Sequence, residues 1–167
     1  TACCFRSDNI KTYLKMLEIS VGQLSQSTVL ADFLKLSDKE NPQRNDAFDM
    51  AMKRLARTKE ANPAIAEFIL MDKKGLVVAA SNESSVGQDK SADTYFLGGQ
   101  KGVCIKDVYF SETYKENLMA ISAPILDSQT GALLGVLVAR VRLTDLNNIT
   151  ASEIGMGKTG EIYIVNE

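Results

Sequence analysis

Two apolar runs meet at one polar turn, and this junction limits the fold more than any other stretch. Glu67-Phe68-Ile69-Leu70-Met71 precedes Asp72-Lys73-Lys74-Gly75, and Leu76-Val77-Val78-Ala79-Ala80-Ser81-Asn82 follows it. The pattern reads as a β-hairpin with Gly75 where the turn needs positive φ. Runs apolar on both faces predict strands covered on both sides. Further strands are predicted at Val103–Phe110, Leu118–Leu126 and Leu133–Val141, the last two joined through Asp127-Ser128-Gln129-Thr130-Gly131. Five strands with helices ahead of them and one short helical insert predict an α+β domain built on a curved antiparallel sheet.

Ahead of the sheet, Asp8 can cap a helix running to about Leu36. Ile10, Tyr13, Leu17, Leu24, Ala31 and Leu34 recur at helical spacing, with Leu14 and Val21 widening the face. At ~1.5 Å per residue such a helix is about 40 Å long. Ser20, Gly22 and Ser27 interrupt the face, so it makes a weaker seam than a strong coiled coil. Such a face can cover a core, join two copies side by side, or do both. Ser37–Arg44 reads as a loop, and Asn45 or Asp46 caps a second helix to about Glu60, with Phe48, Ala51, Met52 and Leu55 on one side. Asn62-Pro63 ends it. Between Asn82 and Gly102 the chain leaves the sheet. There Ser91 caps a short helix holding Tyr95 and Phe96, and Gly98-Gly99 stops it. Leu143–Ile149 forms a short amphipathic helix.

The chain has 167 residues, 45% hydrophobic, with a formal charge of −2 and no histidine. That length supports one domain with a sizeable core, or one domain and a fragment. A near-neutral charge gives no basic footprint for nucleic acid. The missing histidine removes Ser-His-Asp and Cys-His nucleophile systems and the commonest zinc ligand, so no catalytic, metal or cofactor site is expected. Cys3, Cys4 and Cys104 give no disulfide framework: the adjacent pair sits at a terminus, and Cys104 reads as a small strand residue. No run approaches 18 apolar residues, so no membrane span is expected within the chain, and no signal peptide is visible.

Two strands carry charges on apolar faces. Arg140 shares a face with Val136 and Val138, while strict alternation groups Asp107 and Tyr109 with Val103 and Ile105. Buried charges need partners. Arg140 therefore pairs with Asp107 or Asp93, lies exposed near the strand end, or helps line a pocket ringed by Tyr95, Phe96 and Tyr109.

Across about 80 residues the order of motifs resembles a Cache domain, the PAS-like extracellular sensor module of bacterial receptors. The matching pieces are Asp72-x-x-Gly75-x-Val77-Val78-Ala79-Ala80-Ser81-Asn82, Gly87-x-Asp89-x-Ser91, Tyr95-Phe96, Asp107-Val108-Tyr109-x-Ser111, Ser122-Ala123-Pro124-Ile125, Gly135-Val136-Leu137 and Leu143-x-x-Leu146. The resemblance implies a long N-terminal helix on one face of a five-stranded PAS-like sheet, with Asn82–Gly102 covering the other face as a pocket wall. It divides the chain into a helical region (1–63), a sensor lobe (64–150) and a linker with the first strand of a second lobe (151–167). The tail Gly155-Met156-Gly157-Lys158-Thr159-Gly160 followed by Glu161–Asn166 resembles the opening of that second, membrane-proximal lobe. Its Gly-Lys-Thr is a poor phosphate loop, because Ser152 stands at the required first glycine and a strand is predicted after it.

Cache domains that bind α-amino acids carry an arginine for the carboxylate, then x-Trp-Tyr, a strand tyrosine and a late aspartate for the amino group. The positions that resemble these hold Asp93, Tyr95, Phe96, Tyr109 and Arg140. The aromatic character persists while both charges are inverted, which argues against α-amino-acid binding in the usual geometry. With Asp107 added, these six residues are the expected ligand-binding set for a small polar or carboxylate ligand. By resemblance the chain is an extracytoplasmic sensing domain of a membrane-anchored histidine kinase, chemotaxis receptor or cyclase. It is expected to form a homodimer through its N-terminal helix and to have no catalysis of its own. The alternative is a ligand-free dimerisation or scaffold module whose pocket is filled by side chains.

Overall fold

The computed structural model describes residues 2–36, 41–144, 146 and 148. The runs flanking the polar turn pair as antiparallel strands β1 (Ile65–Asp72) and β2 (Val77–Ala80). Asp72 organises the turn: its Oδ1 accepts from Lys74 N at 2.8 Å and from Leu76 N at 3.0 Å. Gly75 stands at φ +87°, where a side chain is strained. Asp127 repeats the device, accepting from Gln129 N at 2.8 Å, with Gly131 at φ +71°.

Strands β3 (Cys104–Ser111), β4 (Glu116–Leu126) and β5 (Leu133–Arg142) start and end within one or two residues of the expected bounds. The five strands form one antiparallel sheet in the order β2-β1-β5-β4-β3. The central strands are covered on both faces, as their largely apolar runs require. Ile65–Met71 are all buried, and so are Gly135–Val141.

One face carries helices α1 (Ala2–Ser25), α2 (Thr28–Lys35) and α3 (Gln43–Glu60). The single helix expected from Asp8 to Leu36 is broken at Gln26-Ser27. Ser27 is extended (φ −64°, ψ 122°) and starts a new helix, its carbonyl accepting from Leu30 N and Ala31 N. The break turns a different stripe inward. Leu17, Val21 and Leu24 of α1 are buried as expected, but Leu30 and Phe33 replace Ala31 and Leu34 as the fully buried side chains of α2. They pack with Ala51 and Leu55 of α3 onto Phe68, Leu70, Met119, Ile121, Leu137 and Ala139 of the sheet. The apolar stripe is thus committed to the core, so self-association through its buried part is excluded. The outward side of α1 presents Met16 and Ile19 instead. No described helix is long and apolar enough to cross a membrane.

The opposite face is covered by the chain between β2 and β3, which forms a 3-10 turn at Glu83–Ser85 and then helix α4 (Thr94–Gly99). Asp93, not Ser91, takes the N-cap position, and Gly98 and Gly99 lie inside the helix rather than beyond it. Their function is contact: a Cβ on Gly99 would fall 2.6 Å from Val136 Cγ1 and 2.8 Å from Ser122 Oγ. Missing side chains let α4 sit directly on the strands. Cys104 lies half-buried in β3, as expected of a small strand residue. Residues 144, 146 and 148 are helical and Leu146 is buried in the main core. The rest of the Leu143–Ile149 helix, the Gly155–Asn166 tail and the side chains of Cys3 and Cys4 lie outside the described residues.

The two hairpin glycines make a matched test. A Cβ on Gly75 would meet the Ser91 backbone, whereas one on Gly131 would meet nothing within 4 Å. Gly131→Ala should cost about 1 kcal/mol from backbone strain alone, and Gly75→Ala clearly more. Guanidinium unfolding of both variants measures the difference. Equal losses would show that the segment carrying Ser91 yields without cost.

Candidate functional site

The α4-facing side of the sheet is apolar along Ile69, Met71, Val77, Val136 and Val138, with Tyr95 and Phe96 of α4 packed on it. Charge enters this layer at four positions, of which the sequence expectation contained two. The first pair is Arg140 with Glu67. They are direct cross-strand partners on β5 and β1, 73 residues apart in sequence, with Arg140 Nη1 donating to Glu67 Oε2 at 2.9 Å. Glu67 is fully buried and Arg140 is 5% exposed. The partner of Arg140 is therefore neither Asp93 nor Asp107, and its exposure at a strand end is excluded.

The second pair follows from an irregularity in β3. Cys104, Ile105 and Lys106 face Ser122, Ile121 and Ala120, but Tyr109, Phe110 and Ser111 face Leu118, Asn117 and Glu116. The register slips by one, so β3 contains a bulge between Lys106 and Tyr109. Strict alternation would put these two residues on opposite faces. The bulge brings both to the α4 side and leaves Asp107 exposed, so Asp107 leaves the expected site and Lys106 joins it. Lys106 Nζ lies 4.5 Å from the centre of the Tyr109 ring and 5.1 Å from that of Tyr95. It is also 3.5 Å from Asp93 Oδ1, with Lys90 Nζ 3.9 Å from the other carboxylate oxygen. Asp93, Tyr95, Phe96, Tyr109 and Arg140 are thus gathered in one layer, with Glu67 and Lys106 added.

Four buried polar atoms in this layer make no close, well-aligned hydrogen bond: Glu67 Oε1, Arg140 Nε and the Tyr95 and Tyr109 hydroxyls. The hydroxyls are not isolated, since Tyr95 interacts with the Asp93 carboxylate and both phenols interact with the Arg140 guanidinium. Burial pushes both tyrosines above their ordinary value of 10.0, and the Asp93 carboxylate adds to the rise. Both phenols are therefore neutral at physiological pH, each able to donate and accept. Burial opposes the Arg140 charge, but Tyr109, the Glu67 carboxylate and Tyr95 beside it outweigh that and hold its pKa above the ordinary value. The arrangement is a charge-balanced polar layer with spare donors and acceptors. It suits recognition of a small polar molecule, and no nucleophile–base pair is assembled in it. Surface grooves open elsewhere, one of about 530 Å³ beside Gly22, Val103 and Pro124 and one of about 480 Å³ beside Lys59, Pro63 and Arg142.

A sheet in this strand order, walled on one face by a helical crossover that holds the polar residues, defines a PAS-like module. The chain belongs to the Cache domain family, whose family model matches residues 6–167. Among solved structures, the sensor domain of the V. cholerae histidine kinase DctB superposes with a TM-score of 0.76 at 19% identity, over 90% of this chain and 57% of that one. The ligand-binding domain of the Campylobacter jejuni chemoreceptor Tlp3, solved with 4-methylisoleucine, gives 0.67 at 15% identity over 89% and 58%. That of the Pseudomonas aeruginosa amino acid chemoreceptor PctC, solved with GABA, gives 0.62 at 17% over 89% and 64%. At these identities the likeness is one of fold, and the chain spans less than two thirds of each of these relatives. Sequence comparison with curated proteins finds no match.

Two expectations follow from the buried charges. Arg140→Ala leaves Glu67 buried without its counter-charge and should cost roughly 3–5 kcal/mol. Replacing both at once, Glu67→Leu with Arg140→Met, should cost much less, because no lone charge remains. Denaturant unfolding of the single and double variants checks both values, and additive losses would show that the two charges do not stabilise each other.

The tyrosines predict alkaline sensitivity. Their folded-state values lie above the ordinary 10.0, so their contribution is complete below pH 10 and is lost as pH rises towards the folded value. Stability should fall above pH 10, and Tyr95→Phe should flatten that decline while changing little at pH 7. Chemical denaturation across pH 8–12 reads the slope.

Proposed function

We propose that this chain is the extracytoplasmic ligand-sensing region of a membrane-anchored receptor, holding a small polar ligand between α4 and the sheet. The observation that carries the reading is the convergence of four buried polar atoms without a close hydrogen bond, on Glu67, Arg140, Tyr95 and Tyr109. Leaving such groups unpaired is unfavourable, and a ligand that supplies donors and acceptors removes the cost. Family membership supports a sensor role over an enzymatic one. The solved relatives named above include domains bound to 4-methylisoleucine and to GABA, which shows what those proteins bind. Here the internal matching of both charge pairs favours a polar ligand that shares or displaces one pair.

The route outward is short. α1 packs on β4 and β5, on the reverse of the strands whose other face carries Ala120, Val138 and Arg140. Binding that adjusts these strands shifts α1, which passes the change to a cytoplasmic output domain by redistributing two helix arrangements. In this reading residues 64–150 are the sensor lobe, 1–63 the signalling helices and 151–167 the entry to a second lobe. A homodimer forms through the outward side of α1, where Met16 and Ile19 are exposed. The competing reading, a ligand-free scaffold, draws on the closure of the layer: Tyr95 is 1% exposed and Glu67 0%.

A thermal-shift screen of small amines, carboxylates and neutral polar compounds against the purified chain separates the two. The sensing reading expects a compound that stabilises by about 2.7 kcal/mol at 100 times its Kd. The Tyr95→Phe, Tyr109→Phe double variant should lose most of that effect. A screen without a stabilising compound would leave the scaffold reading standing.

A further inference from the structure

We infer that Lys106 is a built-in competitor: in the unliganded protein its ammonium occupies a cation cage formed by Tyr95, Tyr109 and Asp93, and the ligands admitted there are small amines that displace it. The inference rests on the ligand-site reading above and names the chemical class the site accepts. Its basis is the placement of Nζ against three groups that attract positive charge. Two aromatic rings lie at 4.5 and 5.1 Å, within the range of cation–π attraction, and a carboxylate oxygen lies at 3.5 Å. Both rings are held in place. Tyr95 is buried in α4 against the sheet, and Tyr109 packs with the same apolar group.

The bulge is what makes the arrangement possible. Without the extra residue between Lys106 and Tyr109, the lysine would point away from the tyrosine that now stacks under its ammonium. Lys106 also differs from the other cation in the layer. Arg140 is 5% exposed and fixed by Glu67 inside the sheet, whereas the Lys106 side chain keeps 24% of its surface exposed. A four-carbon stem reaching the surface can swing outward and leave the ammonium position to another cation. Lys90 stays 3.9 Å from one Asp93 oxygen, and an incoming amine would replace the nearer charge that Lys106 withdraws from the other. Glu67 Oε1 and the two tyrosine hydroxyls, none of which makes a close hydrogen bond, lie in the same layer and can accept from its N–H groups. Neutral or anionic ligands restore no such balance, so the lysine sets both the charge class and the affinity threshold of the site.

The test removes the competitor and supplies its missing atoms. Propylammonium chloride is titrated by calorimetry into wild type and Lys106→Ala, with propanol and potassium chloride as controls. The expected result is binding at least about tenfold tighter to Lys106→Ala than to wild type. A rise of several degrees in the variant's Tm should accompany it, with neither control reproducing the rise. Adding Tyr109→Leu should abolish the gain. If Lys106→Ala does not fold, Lys106→Met keeps the apolar stem without the charge and is titrated with methylammonium chloride instead. Equal affinity in wild type and variant, or binding to neither, would overturn the inference. So would stabilisation of wild type by propionate that disappears in the variant, because Lys106 would then be a ligand contact for an anion. Rescue without any hit in the wild-type screen counts against the sensing reading alone, and a screen hit without rescue counts against the cage alone.

Discussion

The pairing of β1 with β5 fixes the rest of the molecule, and the Glu67–Arg140 ion pair is the point at which that pairing has least freedom. A sheet register held only by apolar contacts can slip along a uniform surface. A one-residue slip here would turn Glu67 or Arg140 to the helix side, among Phe68, Leu70, Leu137 and Ala139, and would separate a pair of charges that are both shielded from water. The Coulombic attraction itself gains little over burial of apolar residues. Its contribution is to exclude neighbouring registers, since each would leave a lone buried charge. Once β1 and β5 are aligned, the Asp72 and Asp127 turns place β2 and β4, and the helices have one surface to cover.

That surface and its reverse have different chemistry because the strands alternate. The helix side is closed by long apolar side chains from α1, α2 and α3, which favours a fixed arrangement. The α4 side mixes valines with two charge pairs and two buried phenols, and its covering helix is only six residues long. This short helix lies close on the sheet through Gly98 and Gly99 and is anchored by two buried aromatic side chains, Tyr95 and Phe96. The molecule therefore has one face that carries the longest helix and an opposite face covered by a single short helix over a polar layer. The same strands join them, which is the physical requirement for one face to influence the other.

Much of this was legible from local pattern. Polar turns ending in glycine between apolar runs located both hairpins, and an arginine among valines called for a partner, an acidic one being among the alternatives. What escaped was the information that depends on distant pairing or on a single inserted residue. Glu67 stands at the head of an apolar run, and only the β1–β5 register, across 73 residues, reveals that it meets Arg140. The bulge in β3 defeats a period-two reading by construction: alternation carried past Lys106 puts Asp107 inside and Lys106 outside, the reverse of the structure. The break at Gln26-Ser27 contains neither proline nor glycine, so nothing local forbids a continuous helix there. Gly98 and Gly99 signalled a helix end when their role is close approach, a distinction that requires knowing what lies underneath. The Cache motif order carried the sheet topology and the aromatic positions, but it could not supply partners for charges that the amino-acid-binding pattern does not share.

Those inverted charges set limits on the proposed site. In the pattern for amino-acid binding, an arginine and an aspartate stand ready for opposite ends of a zwitterion. Here Arg140 already has Glu67 at 2.9 Å and Asp93 has Lys106 at 3.5 Å. A ligand carboxylate approaching Arg140 would meet Glu67 as closely as the arginine, and like charges about 4 Å apart at an effective dielectric near 20 repel by about 4 kcal/mol. That repulsion is comparable to the attraction such a ligand could gain, so Arg140 is a poor carboxylate receptor while Glu67 is beside it. Asp93 is the easier acid to release, because its partners, Lys106 and Lys90, are flexible, partly exposed lysines rather than a buried arginine. The asymmetry between the pairs makes the buried one architecture and the partly exposed one the place where, in the sensing reading proposed above, a ligand enters.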